Sequence, residues 1–324
     1  MSKRSGAFDV QVDVSKLIRN NRQGQSSKNG SVTLEKAMEV IVKQMQVSGF
    51  RERTMKDYQL HWRHFEKVTG TTYLNEIAAD TIYIWLESMS VTNQTKLTRL
   101  KCLKAILTKC FDNGWIEQKF WKTISIKVDK NVKKGATSDD IEILLSLLDL
   151  NSFVGLRDAV AIITLYKTGI RINTLGQLEE KHIDFDNLTL NIDGSILKNH
   201  KLLQLPIDKQ MADLFKVLIS HNEKVRRRFS KTNRFLFVSQ KGTSLNTKST
   251  NNAISKRLHK YSREFCLENV NPHAIRRGFA KNLLDKGADI ALISKALSHS
   301  NLAVTTLYLD LDIEEVSKKL RDFL

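Results

Sequence analysis

Six side chains in the second half of the chain have types that together could hold a phosphate and attack it. In order they are Arg171, Lys198, His273, Arg276, His299 and Tyr308. Two arginines and a histidine can surround the non-bridging oxygens of one phosphate, and a guanidinium does so bidentately. A nearby tyrosine can serve as a covalent nucleophile. A lysine can give a proton to a departing alkoxide. Such a site needs no metal, because fixed cations take over the charge stabilisation. No His/Cys cluster has metal-ligand spacing, and there is no paired-carboxylate site or glycine-rich phosphate loop, so neither metal nor cofactor is expected. Taken singly each residue is ambiguous. Arg171 could pair with a carboxylate, Lys198 could be a solvated loop lysine, and Tyr308 could be packing. His182 reads as a surface residue without a role.

The elements that must position these groups are legible locally. In "NPHAIRRGFA", Asn271 is a good N-cap and Pro272 suits the first helical position. Ile275, Phe279, Leu283 and Leu284 recur at helical spacing, so His273 and Arg276 stand one turn apart near a positive helix end. "LRDAVAIITLYKTG" reads as a buried helix closed by Gly169, and "IRINTLGQL" restarts a helix just after it. "LTLNID" and "KLLQLPID" read as a strand pair with Lys198 in the connecting loop, and "RFLFVS" as a third strand. Helices are expected at about 247–268, 272–286, 289–297, 301–308 and 313–322, the fourth carrying Tyr308.

The first half has a different character. Residues 1–30 are polar and read as a flexible basic tail. Residues 31–125 read as a small helical domain with four helices, in "TLEKAMEVIVKQM", "TMKDYQLHWRHFEKV", "DTIYIWLESM" and "NQTKLTRLKCLKAILTKCFDNGW". All four tryptophans lie here at core-like spacing. Residues 126–136 read as a linker and 137–324 as a second domain, opened by a capping-box-like Thr137 and Asp140. The 324-residue chain has a formal net charge of +17, more than solubility asks for, which points to a polyanion, most simply nucleic acid. Residues 1–135 carry 24 Lys and Arg against 13 Asp and Glu, and residues 136–324 carry 28 against 22, so both halves are basic. No stretch is long and apolar enough to cross a membrane, "MSKRSGAFDV" lacks the apolar core of a secretion signal, and three cysteines without CxxC spacing suit a reduced cytoplasmic setting.

The second domain resembles the catalytic domain of tyrosine recombinases, the phage-integrase and Xer-like family. "TGIRINTL" looks like that family's first arginine box, Lys198 before "LQLPI" like its β-hairpin lysine, "HAIRRGFA" like its HxxR box, and "ALSHSNLAVTTLYLD" like its LGHxxxxxTxxY box. The resemblance is strong over 137–324; over 31–125 it is a likeness of pattern to the core-binding domain. It implies a mainly α fold with a small β-sheet (α+β), two domains clamping double-stranded DNA. It also implies roles: Arg171, Arg276 and His299 on the scissile phosphate, Lys198 as general acid, His273 assisting proton transfer and Tyr308 as nucleophile. The implied function is site-specific recombination through a 3′-phosphotyrosyl intermediate, for a phage or other mobile element. A homotetramer on two DNA sites would carry it out, with "IEEVSKKLRDFL" as the exchanged contact; accessory DNA-bending proteins are left open. Two positions depart from the family pattern: Thr174 replaces an acidic residue, and Ser298 a glycine. They keep a second reading in view, a catalytically silent DNA-binding regulator. A relaxing topoisomerase would share the chemistry.

Overall fold

The computed structural model describes residues 32–129, 133–245, 253–299 and 301–309, with residues 303 and 307–309 described by backbone alone. The chain divides into two compact units, residues 1–130 and 131–324. Within the first, the four expected helices are α1 (Leu34–Val47), α2 (Glu52–Thr69), α3 (Ala79–Glu87) and α4 (Asn93–Asp112). Their starts follow the residue chemistry: Thr33 accepts a hydrogen bond from the Lys36 amide at 3.2 Å, and Thr92 one from the Thr95 amide at 3.4 Å. Gly70 ends α2 in the left-handed conformation.

Trp62, Trp85 and Trp121 are buried with Phe65, and Trp115 packs half-buried against them. Burying each large apolar side chain contributes about 1.5–3 kcal/mol. The indole N–H groups stay satisfied, from Trp62 to the Leu34 carbonyl at 3.0 Å and from Trp85 to His64 Nδ1 at 2.8 Å. The tryptophans are therefore core, as their spacing suggested. Among the basic residues of α4, Lys104 has a structural task, donating to the carbonyls of Lys122 and Ile124 at 3.3 and 2.5 Å.

The second unit is built around a helix buried on nearly every side. Helix α5 (Ser138–Ser146) starts with a true capping box, the Thr137 hydroxyl accepting from the Asp140 amide and the Asp140 carboxylate from the Thr137 amide. Helix α6 (Phe153–Thr168) follows and ends at Gly169, φ 61°. Short α7 (Ile172–Leu175) leads to a three-stranded antiparallel sheet of β1 (Ile183–Asp184), β2 (Thr189–Ile192) and β3 (Leu203–Pro206), in the order β1–β2–β3. Leu190 pairs with Leu205 and Ile192 with Leu203, which sends Leu190, Ile192 and Leu205 into the core. Then come α8 (Lys209–Arg228), α9 (Ala253–Glu264), α10 (Pro272–Asp285), α11 (Ile290–Ala296) and α12 (Leu302–Leu309). Helix α6 packs on α5, α8 and α10, and α12 packs on α10 and α11.

Three expectations need correction. "RFLFVS" is not a strand: Phe235 and Val238 form only isolated bridges, to Glu179 and Ser244. Its buried carbonyls are met by side chains instead. Arg226 donates to Phe235 O at 2.5 Å, Asn222 to Leu236 O at 2.8 Å and Arg157 to Val238 O at 3.1 Å, so no ladder is needed. The third strand is the two-residue β1. His182 is not on the surface but 3 % exposed, its Nδ1 accepting from the Glu179 amide at 2.8 Å and its Nε2 3.2 Å from Asp193. A tight turn at Glu180–His182 folds the ring inward. The helix expected at 247–268 ends at Glu264, and Cys266 and Asn269 beyond it take positive φ; its expected first residues, 247–252, lie outside the described residues. The expected tail at 1–30 and helix at 313–322 lie outside the described residues.

The residues expected to end the linker dock firmly on α10. Arg277 donates twice to the Lys134 carbonyl, at 3.0 and 2.7 Å, and the Ala136 amide donates to Ala274 O at 2.9 Å. The approach demands glycine: a Cβ on Gly278 would lie 2.1 Å from the Ala136 carbonyl oxygen, and one on Gly135 2.6 Å from the Gly278 nitrogen. A buried ionic group braces the same unit. Asp158, 1 % exposed, pairs with Arg157 at 2.6 Å and with Arg257 of α9.

Candidate active site

The carboxyl end of α6 and the start of α10 meet where the positive φ of Gly169 turns the chain; the Phe279 ring fills the space a Cβ would need. Asn271 caps α10, its Oδ1 accepting from the Ala274 amide at 3.0 Å, and Pro272 occupies the first turn as expected. This cap sets the direction of α10 and hence of His273 and Arg276. Arg276 is 3 % exposed, and its two terminal nitrogens donate to Gly169 O and Leu297 O. One guanidinium therefore fastens the end of α6 to the end of α11. These two carbonyls fix the plane of the guanidinium.

Arg171 immediately precedes α7 and is half-buried, with Nη1 3.5 Å from the Ser298 carbonyl. Ser298 has φ 52°, a conformation that favours glycine, and is 7 % exposed. The turn points its carbonyl at Arg171 and starts the segment bearing His299. The His299 amide donates to Ser294 O at 3.0 Å, and its Nδ1 lies 2.8 Å from Thr305 Oγ1 on α12. Thr305 is fully buried and one turn before Tyr308 in the same helix.

Burial and the neighbouring cations act on both histidines. Burial, with Arg276 and Arg171 adding repulsion, pushes the His299 imidazole down to about 4. Burial, then Arg277, Arg276, Lys133 and Arg171, lowers His273 as well. Both rings therefore favour the neutral form beside fixed positive charge, in which each can donate one hydrogen bond.

The structure brings Arg171, His273, Arg276 and His299 into one cluster. Lys198 is exposed on the β2–β3 loop, and Tyr308 lies on α12; the description of Tyr308 ends at its backbone. Sequence reasoning missed Thr305, the partner of His299, and Asn199, whose Nδ2 sits 3.5 Å from Ser298 O. Thr305 could have been found as the threonine of the "HSNLAVTTLY" spacing; Asn199 left no signal.

The chain resembles known proteins in sequence and in fold. The family model described as "Phage integrase family" matches residues 135–315. Tyrosine recombinase XerC of Chlamydia caviae is 27% identical over 234 residues, 71% of this chain and 72% of that protein. Tyrosine recombinase XerA of Pyrococcus horikoshii is 30% identical over 186 residues, 56% of this chain and 58% of that one. In fold, the chain is similar to the Tn1549 transposon integrase in complex with transposon right end DNA, with a TM-score of 0.72 and 19% identity over 90% of this chain and 99% of that one. The XerH recombinase bound to its palindromic difH substrate gives 0.67 and 19%, over 95% and 89%.

Proposed function

The chain belongs to the phage integrase family, and from that premise we propose that Arg171, Lys198, His273, Arg276, His299 and Tyr308 form the site at which it cuts and rejoins duplex DNA. It is a tyrosine recombinase, an enzyme that breaks and rejoins DNA strands. The observation that carries the site assignment is the seat of Arg276, held at both terminal nitrogens between Gly169 O and Leu297 O with Arg171 and His299 beside it.

In this reading the scissile phosphate lies among Arg171, Arg276 and His299. The Tyr308 oxygen attacks phosphorus, its proton leaving toward His273, and a 3′-phosphotyrosyl bond forms. The bond from phosphorus to the 5′ oxygen breaks, and Lys198 supplies that oxygen with a proton. The 5′-hydroxyl of a partner strand then gives its proton to Lys198 and attacks the same phosphorus, while the bond to tyrosine breaks and His273 returns the proton to the Tyr308 oxygen. Charge on the pentavalent phosphorus is met by guanidinium groups already in place, so little reorganisation accompanies the chemistry. The biological setting proposed is movement of a phage or other mobile element, with four protomers on two DNA sites. The net charge of +17 supports the polyanionic substrate.

The test begins by selecting bound duplexes from a random pool to define the site. Two differently labelled linear duplexes carrying it are then incubated with the protein without a nucleotide cofactor. The expected products are hybrid duplexes with no nucleotide lost or gained. Equal relaxation of supercoiled plasmids with and without the site would assign a topoisomerase instead. Tight binding that never yields a joint would assign a regulator.

A further inference from the structure

The loop that presents Lys198 is fastened on both sides of that residue. Before it, Thr174 of α7, 2 % exposed, donates its hydroxyl to the Ile196 carbonyl at 3.4 Å. After it, Asn199 donates its side-chain amide to the Ser298 carbonyl at 3.5 Å. That carbonyl also receives Arg171 Nη1, so one acceptor joins the loop to a phosphate-binding arginine. A third brace is steric. A Cβ on Gly194 would lie 2.5 Å from the His200 carbonyl oxygen, so the two sides of the loop touch backbone to backbone, and His200 itself takes φ 56°.

An exposed lysine at the tip of an unbraced loop must give up backbone as well as side-chain freedom to deliver its proton. Holding the Ile196 carbonyl, the Asn199 side chain and the Gly194–His200 backbone contact removes much of the first part of that cost before DNA binds. A displacement of about 1 Å from productive geometry can slow a positioned step by about 10²-fold. Both anchors use positions that give this loop its own wiring: Thr174, and the left-handed Ser298 whose carbonyl faces the loop.

We propose that Asn199 is a positioning residue for Lys198, acting through the Ser298 carbonyl, with Thr174 as the second anchor of the same loop. Asn199 does not touch the reacting atoms. It holds the backbone that carries the acid in register with Arg171. This inference rests on the reading of Lys198 as general acid.

The experiment is single-turnover cleavage at saturating protein, on duplexes with either oxygen or sulfur at the bridging 5′ position. Sulfur leaves without needing a proton, so it bypasses the acid. Wild type, Asn199→Ala and Lys198→Ala are compared, with thermal unfolding and DNA affinity measured alongside. On the oxygen substrate Asn199→Ala should be slowed about 10- to 100-fold, less than Lys198→Ala, with folding and affinity unchanged. On the sulfur substrate both variants should cleave at the wild-type rate. The proposal is overturned if Asn199→Ala cleaves the oxygen substrate at the wild-type rate while Lys198→Ala is slow and rescued by sulfur. It is overturned equally if Asn199→Ala is slowed alike on both substrates, which would place its effect on Arg171 or on folding. If sulfur fails to rescue Lys198→Ala, the acid assignment itself falls, and the proposal with it.

Discussion

Replacing Ser298 by glycine should make the second unit more stable, although the residue adjoins the candidate site. Ser298 has φ 52°, and a left-handed conformation costs a residue with a Cβ about 1–2 kcal/mol. Its hydroxyl oxygen is buried with no hydrogen-bond partner among the described residues, a loss of about 1–3 kcal/mol. Glycine removes both costs and returns about 0.5–1 kcal/mol through the greater freedom of the unfolded chain. The net gain is about 1–4 kcal/mol. For a unit spanning residues 131–324, each kcal/mol raises the melting temperature by about 2–4 °C, so a shift of roughly 2–16 °C is expected. Scanning calorimetry of wild type, Ser298→Gly and Ser298→Ala separates the contributions. The alanine variant loses the hydroxyl but keeps the left-handed backbone, and should show only part of the gain. A glycine variant that melts at or below the wild-type temperature would refute the reasoning.

Further outcomes follow from the same packing and charges. Gly278→Ala would push a methyl group to 2.1 Å from the Ala136 carbonyl oxygen, so despite better helix propensity it should cost about 1–3 kcal/mol in a urea titration; an unchanged midpoint would mean that residues 134–136 are not clasped on α10. Asp158→Asn leaves Arg157 and Arg257 facing each other without their shared carboxylate and should cost about 3–5 kcal/mol; wild-type stability would contradict the buried network. His299 sits at about 4 in the free protein, so an incoming phosphate should raise it, take up protons between that value and 6.5, and strengthen DNA binding as pH falls through this window. His273 is lowered too and acts in the same direction, and calorimetric titration at pH 5.5 in two buffers of different ionisation heat should detect the uptake; no proton uptake would oppose the phosphate site.

Local chemistry was readable from sequence and long-range side-chain chemistry was not. Asn271 and Pro272 announce the start of α10, Gly169 the end of α6, and alternating Leu190 and Ile192 the central strand, because caps and period-two burial are properties of neighbouring residues; Leu188 turns left-handed just before that strand. The arginine, lysine, histidine and tyrosine motifs were visible as types in order. Only the fold shows that Arg276 seats on two carbonyls 107 and 21 residues away. "RFLFVS" misled because its apolar run is buried by side chains from α8 and α6 that satisfy its carbonyls, which no periodicity records. His182 misled because a polar type was read as surface, whereas a turn gives both ring nitrogens partners. Asn199 and Thr174 were silent for the same reason: their partners, Ser298 O and Ile196 O, are backbone atoms reached through tertiary structure. The departure at Ser298 was evident in sequence, and the structure adds that the position keeps the positive φ suited to glycine.

The central claim is that Tyr308 attacks a phosphate held by Arg171, Arg276 and His299. The most direct measurement is a denaturing gel of the protein with a nicked duplex carrying its site, from which the cleaved fragment escapes and the covalent complex accumulates. Wild type should form a protein–DNA adduct whose DNA maps to Tyr308 by peptide mass, while Tyr308→Phe, one oxygen smaller, binds the same duplex and forms none. An adduct formed equally by the phenylalanine variant would assign the attack to another residue, and a wild-type protein that binds its site tightly without ever forming the adduct would contradict the mechanism altogether.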